Sequence, residues 1–483
     1  MKRLGIFIVA LIAVVTFSCT FGAETKVVLD NTSHLDRFNY LALMHLEDNH
    51  EVTPEALESQ LGFFLEGNAV ARSASSPVSS VIGVQKFITE IENGFSSVTA
   101  NKRSTTTEQE ASEIPFYLFD IVNETEQTVG YAIACGDIRI PAILAVVEDG
   151  EFDSEEQHPF KDIFYNRLAC YILETIEIYN SITDEDISTA VEKYNSISDG
   201  NRAFNDPNVL SILKPHTAPL VTNKTKWGQD IPYWDVINSI KGKTLPKSKV
   251  LTGCVATALA QIMAYHEWPA GPAATIASKT TFPDPYTNTT RTFSSVVYEW
   301  SQMKAKKDAT ELGNQYKMEI GVLMHEIGVA IKTNYGTDGS GAIESDVVAN
   351  LSKLGYKKPT LADYSLAKVQ ASIDSYKPVY IGGYEKKVTT YAAIDVFKWF
   401  PQVSYDGGHA WLIDNYQTHF YSSTKKDEYV HCNLGWDGTD DGWYLSNVFD
   451  TRYGPITTAY SSVGYEDYFK YKLEIIYNIT PNK

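Results

Sequence analysis

Between Thr183 and Asn208 the chain reads "TDEDISTAVEKYNSISDGNRAFNDPN", a polar run rich in Asp, Asn and Ser that carries Arg202. It reads as the tail of one folded unit and the linker to another. With 483 residues the chain is too long for one ordinary domain. The division leaves an α+β unit of roughly 190 residues before the linker and a second of roughly 270 after it.

The first unit alternates helix-like and strand-like segments. "TPEALESQLGFFLEG" reads as a helix, and "SSPVSSVIGVQKFITEIENGF" as a loop followed by an amphipathic helix. "PFYLFDIVNE", "TVGYAIACGD" and "PAILAVVEDGEF" are β-rich and separated by turn residues, which predicts an antiparallel meander. "FKDIFYNRLACYILETIEIYNSI" carries apolar residues at helical spacing. The second unit begins near "KPHTAPLVTNKTKWGQDIPYW" and runs from helices into strands.

Hydrophobic residues make up 43% of the chain and aromatics 12%, enough for a sizeable core. Lysine and arginine number 41 against 60 acidic residues, a net charge of −19 that would repel a polyanion. Nucleic acid is therefore not an expected partner. Lys2 and Arg3 precede the apolar run "LGIFIVALIAVVTF". As a helix those fourteen residues rise about 21 Å, short of a membrane core of about 30 Å. The segment reads as a cleaved export signal over residues 1–19 rather than a span. Cys19, directly after Ser18, fits a loose lipobox, and an ordinary signal-peptidase site near "FGA" is the alternative. The expected location is outside the cell or on an outer-membrane surface, with a lipid on Cys19 as the only expected membrane contact.

The cysteines are Cys19, Cys135, Cys170, Cys254 and Cys432, and none forms a CxxC pair. "HEIGV" at His325 and "HEWPA" at His266 both lack the second histidine of a zinc-peptidase motif. Neither a metal nor another cofactor is expected.

A thiol hydrolase needs a thiolate, a histidine that takes and returns the proton, a group that orients the histidine, and oxyanion donors. Cys254 in "LTGCVATALAQIMAYHEWP" sits where a helix should begin, and the positive end of the helix dipole lowers a thiol pKa. Gly253 leaves room for a substrate backbone. A buried structural cysteine would look the same in isolation. His409 in "DGGHAWLIDNY" follows Gly407 and Gly408, and lies 155 residues after Cys254. Papain-like enzymes separate nucleophile and partners by about 130–150 residues. Asn433, 24 residues further on, could accept the imidazole N–H, with Trp436 shielding that bond from water. His431 is a rival base, expected to point away from Asn433, and Cys432 should be core. Gln229 in "KWGQDIPYW", 25 residues before Cys254, could pair its amide with the Cys254 backbone N–H as a two-donor oxyanion hole. Each residue taken alone also fits a structural role. The four together, in this order, fit acyl transfer.

"KWGQDIPYW", "TGCVATALAQIMAYHEWP", "GGHAWLIDNY" and "NLGWDGTDDGWY" resemble the signature segments of the streptopain family of papain-like cysteine peptidases. "YGTDGSGA" from Tyr335 and the β-rich runs of the first unit also resemble family segments. The resemblance implies an α+β propeptide over 20–210 and a papain-like peptidase domain over 211–483. It implies Cys254 as nucleophile, His409 as general base and acid, and Gln229 as oxyanion donor. Asn433 falls on a family asparagine normally followed by tryptophan; Leu434 stands there instead, which alters that part of the histidine support. Ser340, Gly341 and Gly408 match positions that line the substrate cleft. The implied partners are protein or peptide substrates, favouring a hydrophobic side chain two positions before the cleaved bond, and the chain's own propeptide as an intramolecular inhibitor. An amidase or transpeptidase would share the thiol chemistry, and a catalytically silent surface lipoprotein would share the fold.

Overall fold

The computed structural model describes residues 35–69, 78–86, 114–123, 127–147, 149–152, 159–197, 211–213, 220, 225–239, 249–270, 281–284, 289–292, 296–336, 339–383, 386–390, 402–406, 408–421, 425–451 and 473–483. The leader with Cys19, the linker residues Arg202 and Ala218, and Gly407 lie outside these.

The first part opens with helices α1 (Arg37–Met44) and α2 (Pro54–Ala69). The meander follows as β1 (Val78–Lys86), β2 (Phe116–Asn123), β3 (Thr128–Cys135) and β4 (Ile143–Val147). β1 corrects the reading of residues 78–86; the rest of that stretch, 75–77 and 87–95, where the helix was expected to continue, lies outside the described residues. Val78, Val81, Ile82 and Val84 are β-branched and stiff at χ1, and they suit a pleated strand that pairs along β2. Helix α3 (Pro159–Ser181) forms as its spacing predicts. In the run read as tail and linker, residues 184–197 form helix α4 (Asp184–Ile197), and residues 198–208 lie outside the described residues. Thr183 bonds the Asp186 carboxylate through its hydroxyl (2.6 Å) and its N–H (2.9 Å), and the Asp186 N–H returns to the Thr183 hydroxyl (3.3 Å). This reciprocal cap and three acidic first-turn residues support a helix that buries only Ala190.

The second part contributes β5 (Ser211–Leu213), α5 (Cys254–His266), α6 (Asn314–Ala330), α7 (Glu344–Asn350), β6 (Thr360–Asp363), β7 (Val379–Gly383), β8 (His409–Phe420), β9 (Lys426–Asn433), β10 (Gly442–Leu445) and β11 (Leu473–Tyr477). These eleven strands join one sheet, in the order β1-β2-β3-β4-β10-β9-β8-β7-β11-β6, with β5 on the far end of β8, while 281–284 with 289–292 and 386–390 with 402–406 form two separate two-stranded ladders. The two parts meet edge to edge: Val147, Val146 and Ala145 of β4 pair antiparallel with Gly442, Trp443 and Tyr444 of β10. Each part thus covers an edge the other would leave open. Helices and antiparallel strands occupy separate layers, the α+β architecture expected.

Alternation along the central strands divides the core. Ala410 and Leu412 of β8, Tyr380 of β7 and Ile476 of β11 face α5 and α6 in one apolar cluster. Trp411 and Ile413 of β8, Ile381 of β7 and Ile475 of β11 face the other way, into a cluster shared with Phe160, Ile163 and Phe164 of α3. No helix among the described residues is long and apolar enough to cross a membrane.

Candidate active site

Cys254 is the first residue of α5. Gly253 before it adopts φ +94°, and a Cβ there would lie 2.7 Å from the Ser340 carbonyl oxygen. Only glycine allows the helix start to press against that backbone. The sulfur is half-buried and accepts hydrogen bonds from the N–H groups of Ala410 and Val255. Burial nevertheless pushes the thiol up to about 11, and the Glu344 carboxylate adds to the rise.

His409 opens β8, directly before the residue whose N–H reaches the sulfur. Gly408, at φ +144°, turns the chain into the strand. The imidazole is buried, stacks on Trp411 at 6.0 Å and 13°, and lies 6.2 Å from the Trp436 ring. Its Nε2 donates to the Leu434 carbonyl at 2.7 Å. Burial lowers its pKa to about 4, against the raising effect of that carbonyl. Thiol and imidazole are therefore both neutral at pH 7 in this arrangement.

Gln229 is anchored beside the nucleophile by its backbone. Its carbonyl accepts from the Thr252 N–H (3.0 Å) and the Thr252 hydroxyl (3.2 Å). Its side-chain Nε2 is buried and bonds no described residue. An unpartnered buried donor costs about 1–3 kcal/mol. A site that receives a developing oxyanion is one place where that cost is recovered.

Asn433 departs from its expected place. Its amide forms a pair with Gln261 of α5, Nε2 to Oδ1 at 2.8 Å and Nδ2 to Oε1 at 3.1 Å. The histidine's partner is the next residue's carbonyl instead. Trp436 is half-buried, with its ring 6.2 Å from the imidazole. His431 does not share the site, because its Nδ1 bonds the Asp414 carboxylate at 2.7 Å. It lies two residues before Asn433 on β9, so the expectation of opposite faces does not follow from strand alternation. Cys432 is fully buried core. Ser340 lies against Gly253, and its hydroxyl accepts from the Gly336 N–H (3.2 Å). Gly341 bridges to Asn334, with open space where its Cβ would be.

Three participants were not read from the sequence. Leu434 acts through its carbonyl, which any residue would supply. Asp441 accepts from the Leu434 N–H at 2.7 Å and sits in the acidic loop of "WDGTDDGW". Trp411 follows His409 by two residues, the strand spacing for a shared face, and that signal was available.

Residues 227–444 match the model of the peptidase C10 family. Streptopain from Streptococcus pyogenes is 26% identical over 354 residues, covering 69% of this chain and 74% of its own length. The thiol protease/hemagglutinin PrtT of Porphyromonas gingivalis is 20% identical over 410 residues, covering 83% of this chain and 41% of its own length. Among solved structures, a prointerpain A fragment from Prevotella intermedia is 22% identical with a TM-score of 0.44, covering 75% of this chain and 94% of that one. Active interpain A from the same organism is 24% identical with a TM-score of 0.35, covering 56% and 95%. The protein is a cysteine-type peptidase. Its residues 227–444 carry the peptidase C10 match, and over most of its length the chain is similar to the streptopain-like papain-like peptidases.

Proposed function

We propose that the chain is the zymogen of an exported cysteine endopeptidase, in which residues 20–210 cover and silence the peptidase domain 211–483. The observation that carries this reading is the covering of the His409 face by α3. Phe160 packs edge-on against Trp411 at 5.1 Å, and Ile163 reaches over Gly383, the strand partner of His409. Arg167, almost fully buried, donates to the carbonyls of Val448 (3.2 Å) and Asp450 (3.1 Å). Lys161 pairs with Asp440 at 3.2 Å, and Tyr131 donates to the same carboxylate at 2.5 Å. Dry apolar cover penalises a thiolate–imidazolium pair and favours the neutral forms described above.

Cutting the linker between Arg202 and Ala218 would end the tether's high effective concentration and let the first part leave. Water then returns to the imidazole, the freed His409 side chain turns from the α3 face toward Cys254, and Cys254 transfers its proton to it. The thiolate attacks a substrate carbonyl carbon. The oxyanion that forms is met by Gln229 Nε2 and the Cys254 N–H. Protonated His409 gives its proton to the leaving amine, a thioester remains on Cys254, and water activated by His409 hydrolyses it. Trp436 shields the imidazole, and Ser340, Gly341 and Gly408 line the cleft along the substrate backbone. Export follows from the basic and apolar leader, with Cys19 as the candidate lipid attachment point.

The test compares the chain from Glu24 with its Cys254→Ala twin. The expected result is a parent that shortens by roughly 20 kDa and gains casein hydrolysis blocked by a thiol alkylator, while the twin stays whole. A chain that remains inactive after its linker is cut supports the silent lipoprotein instead.

A further inference from the structure

Gln261 lies seven residues after Cys254 on α5, almost two full turns, so both occupy one side of the helix. Its side chain is fully buried. A buried amide is costly unless its bonds are made. Here Oε1 accepts from the Thr225 hydroxyl (2.9 Å), from Asn433 Nδ2 (3.1 Å) and, at 3.5 Å, from the Trp227 N–H. Nε2 donates to Asn433 Oδ1 (2.8 Å). Asn433 completes the set by donating to the Thr225 carbonyl (3.0 Å) and accepting from the Gly435 N–H (3.2 Å). The backbone donors at Trp227 and Gly435 fix which end of each amide is oxygen, so the pair has one orientation.

These bonds tie together three separate segments. One is α5, which carries Cys254. The second is the 225–229 segment, which carries Gln229. The third is the end of β9, where Leu434 holds His409 Nε2. We propose that Gln261 is a positioning residue that sets the mutual placement of Cys254, Gln229 and His409, acting through its amide pair with Asn433. The inference rests on the peptidase reading above. Acyl transfer tolerates little misplacement, with about 100-fold lost for a shift near 1 Å. A directional two-bond pair holds that tolerance where apolar contact would not, since hydrophobic packing has no preferred direction.

The test uses the full chain, allowed to process, with Gln261→Met and Gln261→Glu beside the parent. Active sites are counted by burst titration so that misfolded molecules do not enter kcat. The Gln261→Met chain should lose about 100-fold in kcat with KM changed less than threefold. The Gln261→Glu chain keeps the acceptor oxygens but faces Asn433 Oδ1 with a second oxygen unless its new carboxyl is protonated. Its activity relative to the parent should recover as pH falls, a signature that a merely structural role would not produce. An unchanged kcat per titrated site in Gln261→Met overturns the proposal. If Gln261→Met does not fold, a Gln261→Glu profile that parallels the parent at every pH overturns it. A parent with no thiol-dependent hydrolysis would instead sink the peptidase reading, which the parent arm reports on its own.

Discussion

The two faces of the central sheet treat neighbouring residues of β8 in opposite ways. Ala410 lies on the α5 face, where its N–H reaches Cys254, small residues allow close approach, and the Gln261–Asn433 pair supplies direction. His409 lies on the other face, against Trp411 and the first part's helix α3. One face is internal to the peptidase domain. The other is completed by a segment outside the family match, which starts at residue 227. In the proposed zymogen, the surroundings of Cys254 on one face of β8 are built while the first part still covers His409 on the other.

The sharpest way to break that contrast is to remove the cover and watch the thiol. With a pKa of about 11, only ~10⁻⁴ of Cys254 is thiolate at pH 7. Uncovering should raise its alkylation rate by iodoacetamide at pH 7 by about 10³-fold or more. Mass spectrometry of whole and shortened species in one mixture reads both rates together, and equal rates would remove α3 from the account.

The second test acts on the α5 face alone. In the processed enzyme Gln229→Ala should lower kcat by about 10²–10³ and leave KM nearly unchanged, because its Nε2 is needed only once the oxyanion forms. Processed protein with full kcat would return Gln229 to a structural role.

Acid separates the faces a third way. His409 is held at about 4, below the ordinary 6.5, so the unfolded chain binds more protons between those values and folded stability falls as pH drops from 6.5 to 4. Asp441, pushed up to about 7 by burial, works in the opposite direction, gaining stability as pH falls from 7 toward 4. In a Cys254→Ala background, His409→Ala should remove a loss of up to about 3 kcal/mol at pH 4. Thermal unfolding of that chain should then resist acid better than its parent, and parallel pH curves would show that the imidazole is not held neutral.

Much of the α5 face was legible because side chains define it. Cys254, Gln229 and the glycine at 253 stand in short motifs whose chemistry depends on residue type. What escaped was backbone and distance. The Leu434 carbonyl leaves no trace in a sequence, and it displaced Asn433 as the histidine's partner because Asn433 was already held by Gln261 across the fold. The β4–β10 join is likewise a pairing of residues almost 300 apart, which no local pattern encodes. Local features had local causes: β1 is a β-branched run read as loop and helix, and α4 is a polar helix that low apolar content concealed and the cap from Thr183 supports.

The smallest expected effect concerns how the cover is held. Arg167 sits almost fully buried with its guanidinium on the carbonyls of Val448 and Asp450, in and just past the helical turn that follows β10. Arg167→Leu keeps much of the apolar stem but strands two carbonyl acceptors, a cost of about 2 kcal/mol. That energy is lost only from the covered state, since water satisfies both carbonyls once α3 has left. The cut but undissociated complex should therefore release its first part about 30-fold more readily, as read by size-exclusion chromatography after limited proteolysis of the linker in the Cys254→Ala chain. The released peptidase domain should melt at an unchanged temperature. If release is unchanged, the hold resides in the apolar seat of Phe160 and Ile163 and in the β4–β10 pairing, and the distinction between the two faces becomes one of shape alone.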